Sequence, residues 1–225
     1  MAGLARVLWP FLVAAALSGF LLRAAFPSPA FGRPVAGLLL VLLGAAVAVL
    51  CRVLKPMLQS FLKGARGEEW VAHELQFLPS VYEVFHAVEV PVAQSTEFGG
   101  DCDHVVVGPS GIFVVETKNW NGRVTVENGM VLYDGTSPSR PPLEQVKESA
   151  RLVRQFLSAA LQREVDVTPI LCFAGNTLDG KTQGVGGVIV CNARFLNVVI
   201  EQNTERPLEA AFGEAIAKQL RGRVG

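Results

Sequence analysis

The stretch Asp101–Lys118, D-C-D-H-V-V-V-G-P-S-G-I-F-V-V-E-T-K, reads as two short apolar strands, Asp103 to Val107 and Ile112 to Lys118, joined at Gly-Pro-Ser-Gly. Proline presets φ and glycine accepts positive φ, so the junction is a turn by composition and the whole is a hairpin. Side chains alternate faces along a strand, which puts Ile112, Val114, Glu116 and Lys118 on one side and Phe113, Val115 and Thr117 on the other. Both faces are apolar until the end, as expected of a central strand covered on both sides. A carboxylate and an ammonium then stand two residues apart where an unpaired charge is costly. Two registers are open. With Pro109 and Ser110 as the loop, Gly108 pairs Gly111 and Asp103 faces Glu116, so like charges oppose each other and call for a cation between them. A three-residue loop with a bulge at Gly111 instead sets His104 against Glu116.

An Asp opening one strand and E-x-K closing the next resembles the PD-(D/E)XK nuclease superfamily. The longer run D-H-V-V-V-G-P-S-G-I-F-V-V-E-T-K-N-W-N-G is similar to the NERD (nuclease-related) domain. The resemblance extends from about Gly67 to the C-terminus, and Cys102 stands where the motif's literal first letter is Pro. It implies an α/β, restriction-endonuclease-like fold, a mixed sheet flanked by helices. It also implies a match of Gly67 and Glu68 to the family's Gly-Glu at a helix start, and of Gln145 to a polar position near phosphate or metal.

Chemistry gives the same residues roles. Hydrolysing a phosphodiester needs an activated water and charge compensation at the phosphate, which Mg²⁺ (or Mn²⁺) held by one or two carboxylates supplies. Asp103 and Glu116 are the expected metal ligands, the resemblance adds Glu68 to the same acidic pocket, and Lys118 orients or helps deprotonate the attacking water. The alternative for Glu116 and Lys118 is a structural ion pair at a strand end. For Glu68 it is an acid favoured by the dipole at the start of a helix. Gln145 is otherwise a solvated helix residue, His104 reaches a metal only in the bulged register, and Trp120 either packs or stacks on a base.

The formal net charge of zero hides an asymmetry: residues 1–66 hold seven Lys or Arg and no acid, leaving thirteen bases against twenty acids beyond them. Val7–Leu22 and Val35–Cys51 are uncharged apolar runs near the lower length for crossing a bilayer, roughly 17 residues. They predict two transmembrane helices, about 7–22 and 35–53, joined by a Pro-rich external turn over Phe26–Pro34. Arg52, Lys55, Lys63 and Arg66 after the second run outnumber the link's two arginines, which orients the C-terminal domain to the cytoplasm. A cleaved signal peptide over the first run leaves that orientation unchanged. The expected organisation is a membrane anchor over 1–66, in the bilayer through about 7–53, and a nuclease-like domain over 67–225.

Cysteines 51, 102, 172 and 191 have no metal or redox spacing and read as reduced thiols. Coarsely, the domain predicts a helix over Gly67–Leu78, a strand over Val81–Val90, the central hairpin, and a small hairpin across Glu127–Gly129. A helix over Leu143–Leu161, strands over Val167–Ala174 and Val188–Asn192, and helices over Phe195–Gln202 and Pro207–Leu220 follow. Arg140, Lys147, Arg151 and Arg154 line one side of the long helix, either as a phosphate-facing strip or as its solvated face. DNA is the expected partner, with RNA open, although an acidic domain binds phosphates weakly. The competing function is a catalytically inactive nuclease-like fold serving as a membrane-tethered interaction or nucleic-acid-binding module.

Overall fold

Strand β3 (Gly111–Lys118) lies inside a six-stranded sheet and is buried along nearly its whole length, with Phe113, Val114 and Val115 wholly removed from solvent. The computed structural model describes residues 29–90, 101–175, 177–180 and 182–223. The other strands are β1 (Glu83–Glu89), β2 (Asp101–Gly108), β4 (Val124–Glu127), β5 (Met130–Tyr133), β6 (Thr168–Phe173), β7 (Thr182–Val185) and β8 (Val188–Asn192). The main sheet has the order β1-β2-β3-β6-β8-β7, while β4 and β5 form a separate hairpin. Strand β3 pairs antiparallel with β2 and parallel with β6, so the sheet is mixed. Helices α1 (Pro29–Leu75), α2 (Pro142–Leu161), α3 (Leu196–Gln202) and α4 (Ala210–Arg221), with a 3-10 turn over Ala193–Phe195 leading into α3, complete the described elements.

The chain divides into two units, residues 1–61 and 62–225. In the first, α1 exposes Leu38, Val41, Leu42, Val49, Leu50, Val53, Leu54, Met57, Leu58 and Phe61. Among the described residues one helix is long and apolar enough to cross a membrane, Val41–Leu75, with a mean hydropathy of 2.0 in its most apolar stretch. The expected first span, Val7–Leu22, lies outside the described residues. The sequence reading of the second is corrected at both ends. Pro29 to Pro34 are helical rather than a turn: Pro29, at the helix start, gives up an N–H that has no intrahelical partner there, and Pro34 forgoes a single bond without ending the helix. Nor does a break separate residues 35–53 from 67–75: Pro56, Gly64 and Gly67 weaken the intervening helix without ending it, flanked as they are by Leu, Met, Lys, Arg and Ala.

The second unit is three layers. Ile112 and Val114 of β3 face α2 and α4 through Val146, Val153, Leu157, Ile216 and Leu220. Phe113 and Val115 face the last turns of α1, through Val71 and Leu75, and α3, through Leu196 and Ile200. The alternation expected of β1 fails at Ala87, where φ is 48°, so that Phe85 and Val88 join the same core. On β2 Cys102 and Val105 do likewise. The two strands switch faces across the pair formed by Ala87 and Asp103, which sits between His86↔His104 and Val88↔Cys102. Nothing in the hydrophobic pattern announces that twist.

Strand β7 was not expected. Its T-Q-G-V sequence is polar and glycine-bearing, as an edge strand can be, and it turns into β8 through Gly186 and Gly187 at φ 55° and 83°. From β8 the buried Asn192 reaches the loop after β6: its Oδ1 accepts from Leu178 N at 3.0 Å and its Nδ2 donates to Leu178 O at 3.1 Å. Those are backbone groups that no strand ladder satisfies. Replacing Asn192 with the similarly sized Leu should cost about 2–3 kcal/mol, as two buried polar groups lose their partners. Denaturant titration of Asn192→Leu against the unmodified protein checks this, and an unchanged midpoint would contradict it.

Candidate active site

Of the two hairpin registers, the one with the two-residue loop forms: Gly108↔Gly111, Val107↔Ile112, Val106↔Phe113, Val105↔Val114 and His104↔Val115. One further step places Asp103 opposite Glu116. Gly111 permits the turn, at a φ of 136° that side chains disfavour. The bulged register, and with it the route that brought His104 to Glu116, is excluded.

Glu116 is 3% exposed at the end of β3. Lys118, two residues on and on the same face, donates from Nζ to Glu116 Oε1 at 2.7 Å and to Gln145 Oε1 at 2.9 Å. Gln145, in the first turns of α2, closes the ring by donating from Nε2 to the same Glu116 oxygen. The carboxylate, ammonium and amide thus fix one another's rotamers, and both bonds to the carboxylate fall on Oε1. Gln145 is therefore not an ordinary solvated helix residue. Ser149 donates to the backbone oxygen of Gln145 at 3.2 Å from the next turn of the helix.

Asp103 comes from the neighbouring strand. Its Oδ2 accepts the backbone N–H of Thr117 at 2.7 Å, a donor that no reading of side chains could have singled out. Burial, then the Glu116 carboxylate, pushes the Asp103 carboxyl up to about 7, against the opposite pull of the Thr117 amide and Lys118. Two carboxyl groups out of water and close together do not readily hold two negative charges.

Glu68 is exposed and stands inside α1, not at a helix start, so dipole stabilisation does not explain it. It lies within electrostatic reach of the site: its carboxyl is raised by partial burial and by Asp103, and lowered by Lys118. Still, among the described residues no three His, Cys, Asp or Glu side chains converge as a ready metal cage, so Asp103, Glu116 and Glu68 do not form a closed three-ligand site.

His104 lies outside the cluster. Its Nδ1 is 2.8 Å from His86 Nδ1, with the rings edge-on, so one nitrogen carries a proton and the other does not. Burial and His86 drive it down to about 3. Trp120 packs on Tyr133 and Phe173 at ring separations of 5.0 and 5.4 Å, which is the packing reading. The Cys102 thiol is pushed up to about 12 by burial and by the carboxylates of Glu116, Asp103 and Asp101, as a packed cysteine beside acids is. On α2, Lys147 pairs with Glu144 and Arg151 with Glu148, while Arg154 stands 3.8 Å from Glu164. These three bases belong to a solvated, ion-paired face.

Residues 63–174 match the family model described as nuclease-related domain (NERD), a range that takes in Glu68, Asp103, Glu116, Lys118 and Gln145. The chain therefore carries a nuclease-related domain over those residues. It is also 44% identical over 63 residues to a Bacillus anthracis protein described as uncharacterized, a stretch that makes up 27% of this chain and 28% of that relative. No solved structure matches it.

The two shifted groups act oppositely on stability. His104, depressed in the folded state, stabilises above its unfolded value near 6.5 and loses that contribution as pH falls toward 3. Asp103, raised in the folded state, favours the fold below about 3.8 and loses that contribution as pH rises through 7. Asp103→Asn should therefore be more stable than the unmodified protein at pH 8 in the absence of divalent ions, by on the order of 2 kcal/mol, and converge with it near pH 4. Chemical denaturation across pH 4–8 measures the difference, and a variant less stable at pH 8 would contradict the repulsion.

Proposed function

We propose that this chain is a membrane-tethered, divalent-cation-dependent nuclease that hydrolyses phosphodiester bonds of DNA, with RNA a further substrate, on the cytoplasmic side. The observation that carries the reading is the pairing of Asp103 with the Glu116–Lys118–Gln145 ring at the end of a buried central strand. The donor set fits Mg²⁺ or Mn²⁺: oxygen ligands, two carboxylates and, among the described residues, no closed protein cage, as suits an ion that keeps much of its water and binds substrate oxygen. Asp103 and Glu116 would hold the ion, and its charge would relieve the repulsion that raises the Asp103 carboxyl. When bound, such an ion supplies an acidified water and neutralises charge at the phosphate.

The chain's own groups do the rest. Lys118 has three N–H donors, of which two are committed to Glu116 and Gln145, so the third is left for a phosphate oxygen or the attacking water. Gln145 holds Glu116 and Lys118 in one geometry, which keeps the amine from drifting when a phosphate arrives. Tethering rests on the exposed apolar face of α1, and the cytoplasmic placement on Arg52, Lys55, Lys63 and Arg66 beyond it. Holding the domain at a membrane offsets weak phosphate affinity by raising local concentration.

The ion pairs that occupy Lys147 and Arg151 favour a second reading, an inactive nuclease-like module that binds a partner. Plasmid nicking by the full chain in detergent with Mg²⁺ or Mn²⁺ separates the two. Glu116→Ala and Lys118→Ala should each lower the rate by about 100-fold or more, the scale of losing a positioned catalytic group. Cleavage by both at the unmodified rate, or none by the unmodified chain, would favour the second reading.

A further inference from the structure

Asn119 follows Lys118 directly, and its side chain points away from the carboxylate cluster to α1. There its Nδ2 donates to the backbone oxygen of Lys63 at 2.7 Å. One helical turn on, Gly67 is buried against the same side chain: a Cβ built on Gly67 would meet Asn119 Cβ at 2.6 Å, closer than carbon atoms approach. Residues four apart share a helix face, so the amide bond to Lys63 and the contact at Gly67 are two points of one seat. The hydrogen bond fixes α1 along its axis, and the missing side chain at Gly67 sets how near the helix comes to the end of β3.

The next residue, Glu68, is the third carboxylate within reach of Asp103 and Lys118. Among the described residues no side-chain hydrogen bond or ion pair holds it there; it is exposed, and its position follows the helix turn that carries it. The residue beside the E-x-K lysine thus grips the turn that carries the acid.

We infer that Asn119 is a positioning residue, which by clamping the Lys63–Gly67 turn of α1 onto the end of β3 holds the Glu68 carboxylate near Asp103 and Lys118 and so tunes the hold of the Asp103–Glu116 pair on a divalent cation. The inference rests on the reading of that pair as a cation site, and it adds a role for the residue that follows the E-x-K lysine. Glu68 acts through charge and through water on the ion, in keeping with the absence of a closed three-carboxylate cage among the described residues. Groups that orient a site from outside the ligand set commonly change metal affinity by about 10-fold or more when removed.

The test is a double-mutant cycle on the full chain in detergent, read as the Mn²⁺ concentration at half-maximal thermal stabilisation, with melting in chelator recorded alongside. Asn119→Ala keeps the Cβ packed on Gly67 and removes only the amide. It should raise the Mn²⁺ midpoint about 10-fold, Glu68→Gln by a similar factor, and the double variant no further than the larger of the two, since both changes interrupt one line of action. Multiplying effects, or an unmoved midpoint in Asn119→Ala while Glu116→Ala abolishes the Mn²⁺ response, would overturn the positioning role and leave the cation site standing. Absence of any Mn²⁺ response in the unmodified chain would overturn the cation site and the positioning role together. Should Asn119→Ala fail to fold, Asn119→Leu, of similar size and without the donor, takes its place in the cycle with the same criteria.

Discussion

A carboxylate that is 3% exposed must find its counter-charge within the protein, and for Glu116 that requirement organises everything around the end of β3. The nearest cation is on its own strand, two residues away, and Lys118 alone would satisfy only one direction of the carboxylate. Gln145 arrives from α2 as a neutral donor that binds the acid and the amine at once, so the helix is fixed to the strand end by polar bonds as well as by the apolar contacts of Val146 and Val153. Asp103, set opposite by the hairpin register, adds a second negative group that the arrangement does not neutralise. The result is a satisfied ion pair next to a frustrated carboxyl, an arrangement that does not serve maximal stability.

The sheet makes such a cluster affordable. Three residues of β3 are wholly buried, with a helical layer on each face, so the backbone that presents Glu116 and Lys118 cannot shift to relieve their charges. The one irregularity is local: Ala87 at positive φ and Asp103 opposite it, where both edge-side strands exchange faces. There Asp103 Oδ2 takes the Thr117 amide. His86 and His104 sit one pair further along, locked to each other through their Nδ1 atoms.

The acidic balance of the domain and the ion pairing along α2 belong to the same picture. Lys147 and Arg151 are held by acids three residues before them, and Arg154 by a looser pair with Glu164. What distinguishes the site from this charged surface is burial. The surface pairs exchange water for one another at little net gain, whereas Glu116 lies out of solvent and is held by hydrogen bonds from Gln145 and a half-buried Lys118.

The central strand, the hairpin and the covering helices were legible in the residues because unbroken apolar runs and turn chemistry are local signals. Asp103, Glu116 and Lys118 were legible because their spacing along two paired strands fixes them to one end. Edge strand β7 was not, having neither hydrophobic alternation nor β-branched density. Helix α1 was misjudged as two pieces, because a Pro and two glycines argue for a break that the flanking residues overrule. The role of Asn119 was hidden too, since its partner is a backbone oxygen on another element, 56 residues earlier in the chain. Local composition by itself determined which segments are apolar, where the chain turns and which charges fall at a strand end. Only tertiary packing decided the hairpin register, the twist at Ala87 and Asp103, and the meeting of Gln145 with Glu116 and Lys118, because those depend on contacts between segments far apart in the chain.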